Sequence, residues 1–359
     1  RLRVLQSHLP EHVRCNIFER LGIDDSDKYI RWVSRVIDLP LGALSPPPRL
    51  PLPARLAEAR AVMDRRVCGQ DGTKMEVLRL MCSKTSEGYA IGLEGPPGCG
   101  KTHFVRHALA PALDRPLVSI PLGGASDASF LLGANYTYEG SKEGRLAAAL
   151  IEAGCNDPII HFDEVDKLSC SPKGSEIESV LLHVVDPSCP EIRDRYFHGI
   201  DIDFSRCTFV FSYNHPERVS PILMDRIKRL RISPPLPEER HQILTLHVLP
   251  RLGKKYGGSY HKLSEGACRA LLRRVTGSEG MRNCERFAEH VVSSAKLSES
   301  LAAARAATAS AAASVTASVA ESEAVRDGEG LVSAEFAEKV LSEMDGISGD
   351  VSSPPPMMY

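Results

Sequence analysis

The chain has 359 residues, 43% of them hydrophobic, which is enough to bury a sizeable core and to divide into two or more domains. Its 44 basic residues face 46 acidic ones, and the formal charge of -2 excludes a global field for nucleic acid or an anionic membrane surface. No apolar run approaches the roughly 20 residues that cross a bilayer, and ten cysteines without a CxxC pair or a Cys/His cluster exclude a disulfide-stapled miniprotein, so a soluble intracellular protein with unpaired thiols is expected.

In chain order, residues 10–38 have helical character, with Tyr29 and Trp32 in YIRWVSRVIDLP and Pro40 as the stop. The stretch SPPPRLPLP at 45–53 predicts an extended linker and a domain boundary. Helical patterning resumes at 54 and continues over 67–82 after a turn at Gly69. Short apolar runs then alternate with helical stretches: AIGLEG, PLVSIPL, PIIHFDEVD, CTFVFSYN and RLRISP are the strand candidates. That alternation predicts an α/β domain, a parallel sheet sandwiched by helices. One stretch fits neither period: in GANYTYEGSKEGR (133–145), Tyr136 and Tyr138 stand among glycines and charges, where neither ring is expected to be buried.

From Pro237 onward the pattern is helical over 236–252, 263–275 and 279–297, which predicts an all-helical small domain. The Ala/Ser tract at 301–320 has the helix propensity of alanine but no large apolar stripe, and reads as a flexible insertion. LVSAEFAEKVLSEM is a last amphipathic helix, and 347–359 reads as a disordered tail. The expected organisation is a helical segment with linker (1–53), the α/β domain (54–235), and the helical domain (236–346) carrying the insertion.

GLEGPPGCGKTHF holds the GxxxxGK[ST] pattern between a strand candidate and a helix, which is the context this phosphate-binding loop requires. In the loop Gly95, Pro96, Pro97, Gly98, Cys99 and Gly100, the glycines would let backbone N–H groups close around phosphate oxygens. Lys101 would reach the terminal phosphates of ATP, and the Thr102 hydroxyl would ligate Mg2+. In PIIHFDEVDKL, a strand ends in two carboxylates: Asp163 falls near the metal, and Glu164 can orient or deprotonate an attacking water. His161 is expected only to be packed and hydrogen-bonded. Asn214, ending CTFVFSYN, can hold the water from the other side. Arg226 is the candidate for stabilising phosphoryl charge in a neighbouring subunit, and Arg282 for sensing the phosphate from the helical domain. Cys99 is either an oxidation-sensitive thiol at a helix start or a passive small residue.

These parts, in this order, resemble an AAA+ ATPase, and the local words resemble the Lon protease family over roughly residues 9–341. The words are YIRW with the following LP, GPPGCGKT, the LGG of PLGGASD, TYEGSKEGR, FDEVDK, VVDP, RDRY and GMRNCER; LGG and GMRNCER separate this family from other AAA+ branches. The resemblance implies ATP hydrolysis with Mg2+ in a homo-oligomeric, six-membered ring that pulls unfolded or damaged protein through a central channel. It also implies a mitochondrial-matrix or cytoplasmic setting.

In such rings a loop carrying an aromatic and then an aliphatic residue grips the substrate chain. Tyr138 matches the aromatic, and Gly133, Gly140 and Gly144 are expected to make the loop mobile. Glu139 stands where the family has valine or isoleucine, which would weaken an apolar grip and favour basic segments. The family's serine-lysine protease pattern is not matched, and the chain opens on Arg1, so either a piece of a protease or a stand-alone unfoldase without a peptidase site is expected. The alternative reading is a nucleic-acid-associated AAA+ switch of the clamp-loader kind, which would call for a basic face that the near-neutral charge does not supply.

Overall fold

Strand candidates that are apolar on both faces pair side by side in the computed structural model of the chain. It describes residues 2–7, 9–21, 26–83, 88–125, 127–168, 172–186, 188–189, 191–257, 262–275, 281–309, 325–326 and 331–349. The strands are β1 (Ala90–Glu94), β2 (Leu117–Pro121), β3 (Ile159–Asp163), β4 (Glu191–Arg193), β5 (Asp201–Asp203), β6 (Thr208–Tyr213) and β7 (Lys228–Arg231). Five of them form one parallel sheet in the order β2-β3-β6-β1-β7, while β4 and β5 make a separate antiparallel pair. The register sets Phe162 beside Phe211 and Glu94 beside Tyr213, so β1, β3 and β6 end at one edge. Whatever follows those three strands is brought together there, which is where open α/β sheets bind ligands.

The chain divides into two compact units, Arg1–Gly95 with Lys101–Ser233, and Pro96–Gly100 with Pro234–Tyr359. In the first, Val33, Val36, Phe162, Leu181, Phe197, Phe204 and Phe211 are buried in one apolar core. The segment expected to stand apart at 1–53 shares that core. Its two longer helices among the described residues are Glu11–Arg20 and Asp27–Ile37, and the second buries Tyr29, Trp32, Val33 and Val36, a helical stripe that needs a partner surface. The proline-rich stretch is laid onto this unit as well: Ser45 donates from its N–H (2.8 Å) and its hydroxyl (2.7 Å) to Asp157 Oδ1, and Asn156 N–H bonds to Ala43 O at 2.6 Å. Helix Leu52–Arg66 then starts with Pro53 in its first turn, where a missing N–H costs nothing.

The second unit packs Leu244, Val248, Leu252, Leu271, Val291 and Val340 between helices. Buried Arg240 ties it together, donating to Pro235 O and Val275 O at 3.0 Å each. Two helices contain a wide π turn, Val105–Leu109 and Leu244–Val248, each just before a proline (Pro111, Pro250). A proline ring clashes with the carbonyl four residues back, and the wider turn moves that carbonyl aside. The tract expected as an insertion begins as helix, since Met281–Ala309 runs into it, and the tail expected at 347–359 also opens as helix, since Ala334–Gly349 extends into it; 310–324 and 350–359 lie outside the described residues. Among the described residues no helix is long and apolar enough to cross a membrane.

Phe211 sits fully buried on β6 with its ring 5.2 Å from that of Phe162. Phe211→Ala is expected to cost about 3–5 kcal/mol, read as a lower urea midpoint; a loss below about 1 kcal/mol would show that the core collapses into the gap.

Candidate active site

The loop after β1 turns through Gly98 (φ 75) and Gly100 (φ 96), left-handed conformations that L side chains avoid. The five residues Pro96–Gly100 group with the second unit. There Met281 N–H donates to Gly98 O at 3.1 Å, at the start of the helix that carries Arg282. Cys99 is buried, which removes the accessibility a redox-sensitive thiol needs. Lys101 opens the following helix and is itself buried; its ammonium donates to Gly95 O (2.7 Å) and to Asn214 Oδ1 (2.7 Å). The phosphate-loop lysine and the asparagine that ends β6 are thus in direct contact.

Asp163, the last residue of β3, accepts from Thr102 Oγ1 on Oδ2 at 3.0 Å, and from Glu164 N–H at 3.0 Å and the Ser212 hydroxyl on Oδ1. Burial pushes its carboxyl up, but the hydroxyls of Ser212 and Thr102 and the Glu164 N–H outweigh it and hold the carboxyl below its ordinary range. His161 is fully buried, and burial pushes its pKa down, so the ring is neutral. Its Nε2 lies 3.1 Å from Ser212 Oγ and its Nδ1 3.4 Å from Ser119 Oγ. Ser212 gives its proton to the carboxylate, so Nε2 carries the hydrogen and Nδ1 accepts from Ser119. His161 thereby orients the hydroxyl that braces Asp163. Thr102 Oγ1 and Asp163 Oδ2 offer two adjacent hard oxygen donors on an accessible face, a set that fits Mg2+ completed by phosphate and water.

Glu164 takes a left-handed backbone (φ 61), sparsely populated for a non-glycine residue. Its carboxylate pairs with Lys167 at 2.5 Å. A Cβ on Gly123 would lie 2.6 Å from Glu164 Oε2, so the LGG glycine sits directly beside that carboxylate. Buried Asp166 takes the N–H groups of Asn214 and His215 on Oδ2, each at 3.0 Å, and so sets where Asn214 begins. Ser212, Asp166 and Gly123 were not singled out in the sequence. Their signal was position: two residues before Asn214, two after Glu164, and the middle of LGG.

Arg226 is not brought to this group; it donates to Leu182 O (3.1 Å) and pairs with Asp186 (2.9 Å) at the end of helix Pro221–Arg226. The loop at 133–144 divides its two tyrosines. Tyr138 is 69% exposed with Glu139 beside it, as expected for a displayed ring, whereas Tyr136 packs against the core. Its ring centroid is 5.5 Å from that of Trp32, which itself stacks on Tyr29 at 5.6 Å. The expectation that neither ring is buried therefore fails for Tyr136, because the N-terminal helix supplies a surface that the local pattern could not reveal.

Residues 91–235 match the family described as ATPase family associated with various cellular activities (AAA). The chain is 34% identical over 238 residues to a Lon protease homolog of Acanthamoeba polyphaga mimivirus, covering 64% of this chain and 23% of that protein. It is 30% identical over 237 residues to the peroxisomal Lon protease homolog 2 of Oryza sativa subsp. indica, covering 64% and 27%. It is 28% identical over 283 residues to the mitochondrial Lon protease homolog of Scheffersomyces stipitis, covering 77% and 25%. The chain spans about a quarter of the length of these curated relatives.

A carboxylate held below its ordinary pKa stabilises the fold above that range, and the contribution is lost as pH falls through the folded-state value. Ser212→Ala is therefore expected to cost about 1.5–3 kcal/mol at neutral pH, with the gap to wild type closing in acid. Unfolding measured across pH checks this; a gap independent of pH would contradict the bond to Asp163.

Proposed function

Because the chain carries an AAA+ module of the Lon protease family, we propose that it hydrolyses ATP with Mg2+ and uses the cycle to pull polypeptide through a ring of its own copies. The observation that carries the reading is the meeting of Lys101 with Asn214 and of Thr102 with Asp163 at one edge of the sheet. Lys101 would exchange Gly95 O and Asn214 Oδ1 for the terminal phosphate oxygens, keeping its buried charge compensated throughout. Thr102 and Asp163 would hold Mg2+, which when bound neutralises phosphate charge. Asn214, released by Lys101, would orient the attacking water, and Glu164, leaving Lys167, would take its proton. Arg226 would serve a neighbouring copy after leaving Asp186, and Arg282 would report on the phosphate from the helical unit.

Tyr138 supports the mechanical half of the proposal. A large exposed ring on a surface loop is a grip that tolerates many side chains. Glu139 beside it would favour basic segments. Unfolded or damaged proteins are the proposed substrates, six copies the proposed ring, and the mitochondrial matrix or cytoplasm the proposed setting. Peptide hydrolysis would fall to a serine-lysine domain of the kind in the family. The nucleic-acid alternative gains nothing from a charge of -2.

Lys101→Ala is expected to lose ATP binding, while Glu164→Gln keeps binding and slows turnover by roughly 10²–10⁴-fold; nucleotide titration beside phosphate release tells them apart, and equal loss of binding in both would contradict the role given to Glu164. Tyr138→Ala is expected to abolish ATP-driven unfolding of a tagged protein at unchanged ATP affinity. Undiminished unfolding would remove the grip.

A further inference from the structure

The loop that displays Tyr138 is not a free strand of chain. Its neck is closed by Ala134 N–H bonding to Lys142 O at 3.2 Å. Gly133 (φ 72) and Gly144 touch so closely that a Cβ on Gly133 would lie 2.7 Å from Gly144 N, and one on Gly144 would lie 2.0 Å from Leu131 O. Buried Asp194 clamps this neck, accepting from Gly144 N–H and Tyr196 N–H at 2.8 Å each, and Arg195 N–H ties back to Leu132 O at 2.7 Å. Within the loop, Asn135 Oδ1 accepts from the N–H and hydroxyl of Thr137 at 3.0 Å, and Ser141 Oγ donates to Tyr138 O at 2.9 Å. The glycines thus serve close approach at the neck, and mobility is not their use there.

A second element holds the loop along its length. Helix Asp27–Ile37 presents Lys28, Trp32 and Arg35 at i, i+4 and i+7, which is one face. Lys28 donates to Thr137 O, Trp32 packs its ring at a tilt against Tyr136, and Arg35 pairs with Glu143. Trp32 is itself locked by Nε1–H bonding to Tyr196 O at 2.7 Å, two residues from Asp194. Three successive contacts therefore run from one helix face onto residues on both sides of Tyr138.

We infer that helix Asp27–Ile37 is the mount of this loop, with Trp32, Lys28 and Arg35 acting as positioning residues that hold Tyr138 out as a stiff finger for polypeptide. The inference rests on Tyr138 being the grip proposed above. A stiff finger transmits a pull, whereas a slack loop would lose the displacement in its own rearrangement. The ordering of the loop is completed before substrate arrives, so less entropy is lost on each engagement.

The test uses a charge swap and the chain's single tryptophan. Arg35→Glu and Glu143→Arg are each expected to raise the concentration of unfolded protein needed for half-maximal ATPase stimulation by about tenfold, with maximal and basal rates near wild type. The double variant Arg35→Glu/Glu143→Arg is expected to restore the wild-type concentration. Trp32 emission should hold its position when tryptophan-free unfolded protein is added with ATP, since a stiff loop keeps its contact with that ring. Single variants indistinguishable from wild type, a double variant with no recovery, or a Trp32 emission that shifts when substrate engages would each overturn the mount. Failure of the grip itself reads differently: Tyr138→Ala would then unfold substrate as wild type does, whatever the charge swap shows. If the single variants do not fold, the Trp32 emission of the wild-type chain still decides.

Discussion

The arrangement depends on one constraint, the parallel register that ends β1, β3 and β6 at the same edge of the sheet. A parallel sheet must be covered on both faces, so its strands are apolar until they emerge, and polar residues collect where the backbone leaves the core. Lys101, Asp163 and Asn214 all lie within a few residues of such an exit. The buried ammonium of Lys101 needs compensation at every moment, and the carbonyl of Gly95 with the amide of Asn214 supplies it. The same contacts couple the two side chains, since an anion that drew Lys101 away would leave Asn214 Oδ1 without that bond.

Behind these residues stands a polar chain that keeps them in place. Ser119, His161 and Ser212 pass a line of hydrogen bonds to Asp163, and Asp166 fixes the backbone of Asn214 and His215. Gly123 lies directly beside the Glu164 carboxylate. The loop bearing Tyr138 is built on the same logic, with Asp194 and two glycines closing its base and the helix over 27–37 bracing its sides. Both sites place an exposed working group on a support that is buried and hydrogen-bonded.

Much of this was legible in the sequence because its signals are local. The phosphate loop is a contiguous word between a strand and a helix, Asp163 and Glu164 follow an apolar run, and the strand candidates carry their own composition. What was not legible depends on contacts between distant residues. Tyr136 has no apolar neighbours in sequence, yet Trp32 lies against it from more than a hundred residues away. The proline-rich stretch at 45–53 looks like a linker until Asp157 takes the donors of Ser45. Arg226 looks like a free cation until Asp186 is placed beside it. Ser212 and Asp166 are ordinary residue types whose roles exist only through bonds across the sheet.

The most direct measurement is a structure of the chain with Mg2+ and a non-hydrolysable ATP analogue. The account predicts the terminal phosphate on Lys101 Nζ, Thr102 and Asp163 at the metal, and Asn214 Oδ1 no longer bonded to Lys101. An analogue bound elsewhere, with Lys101 still held by Gly95 and Asn214, would contradict it.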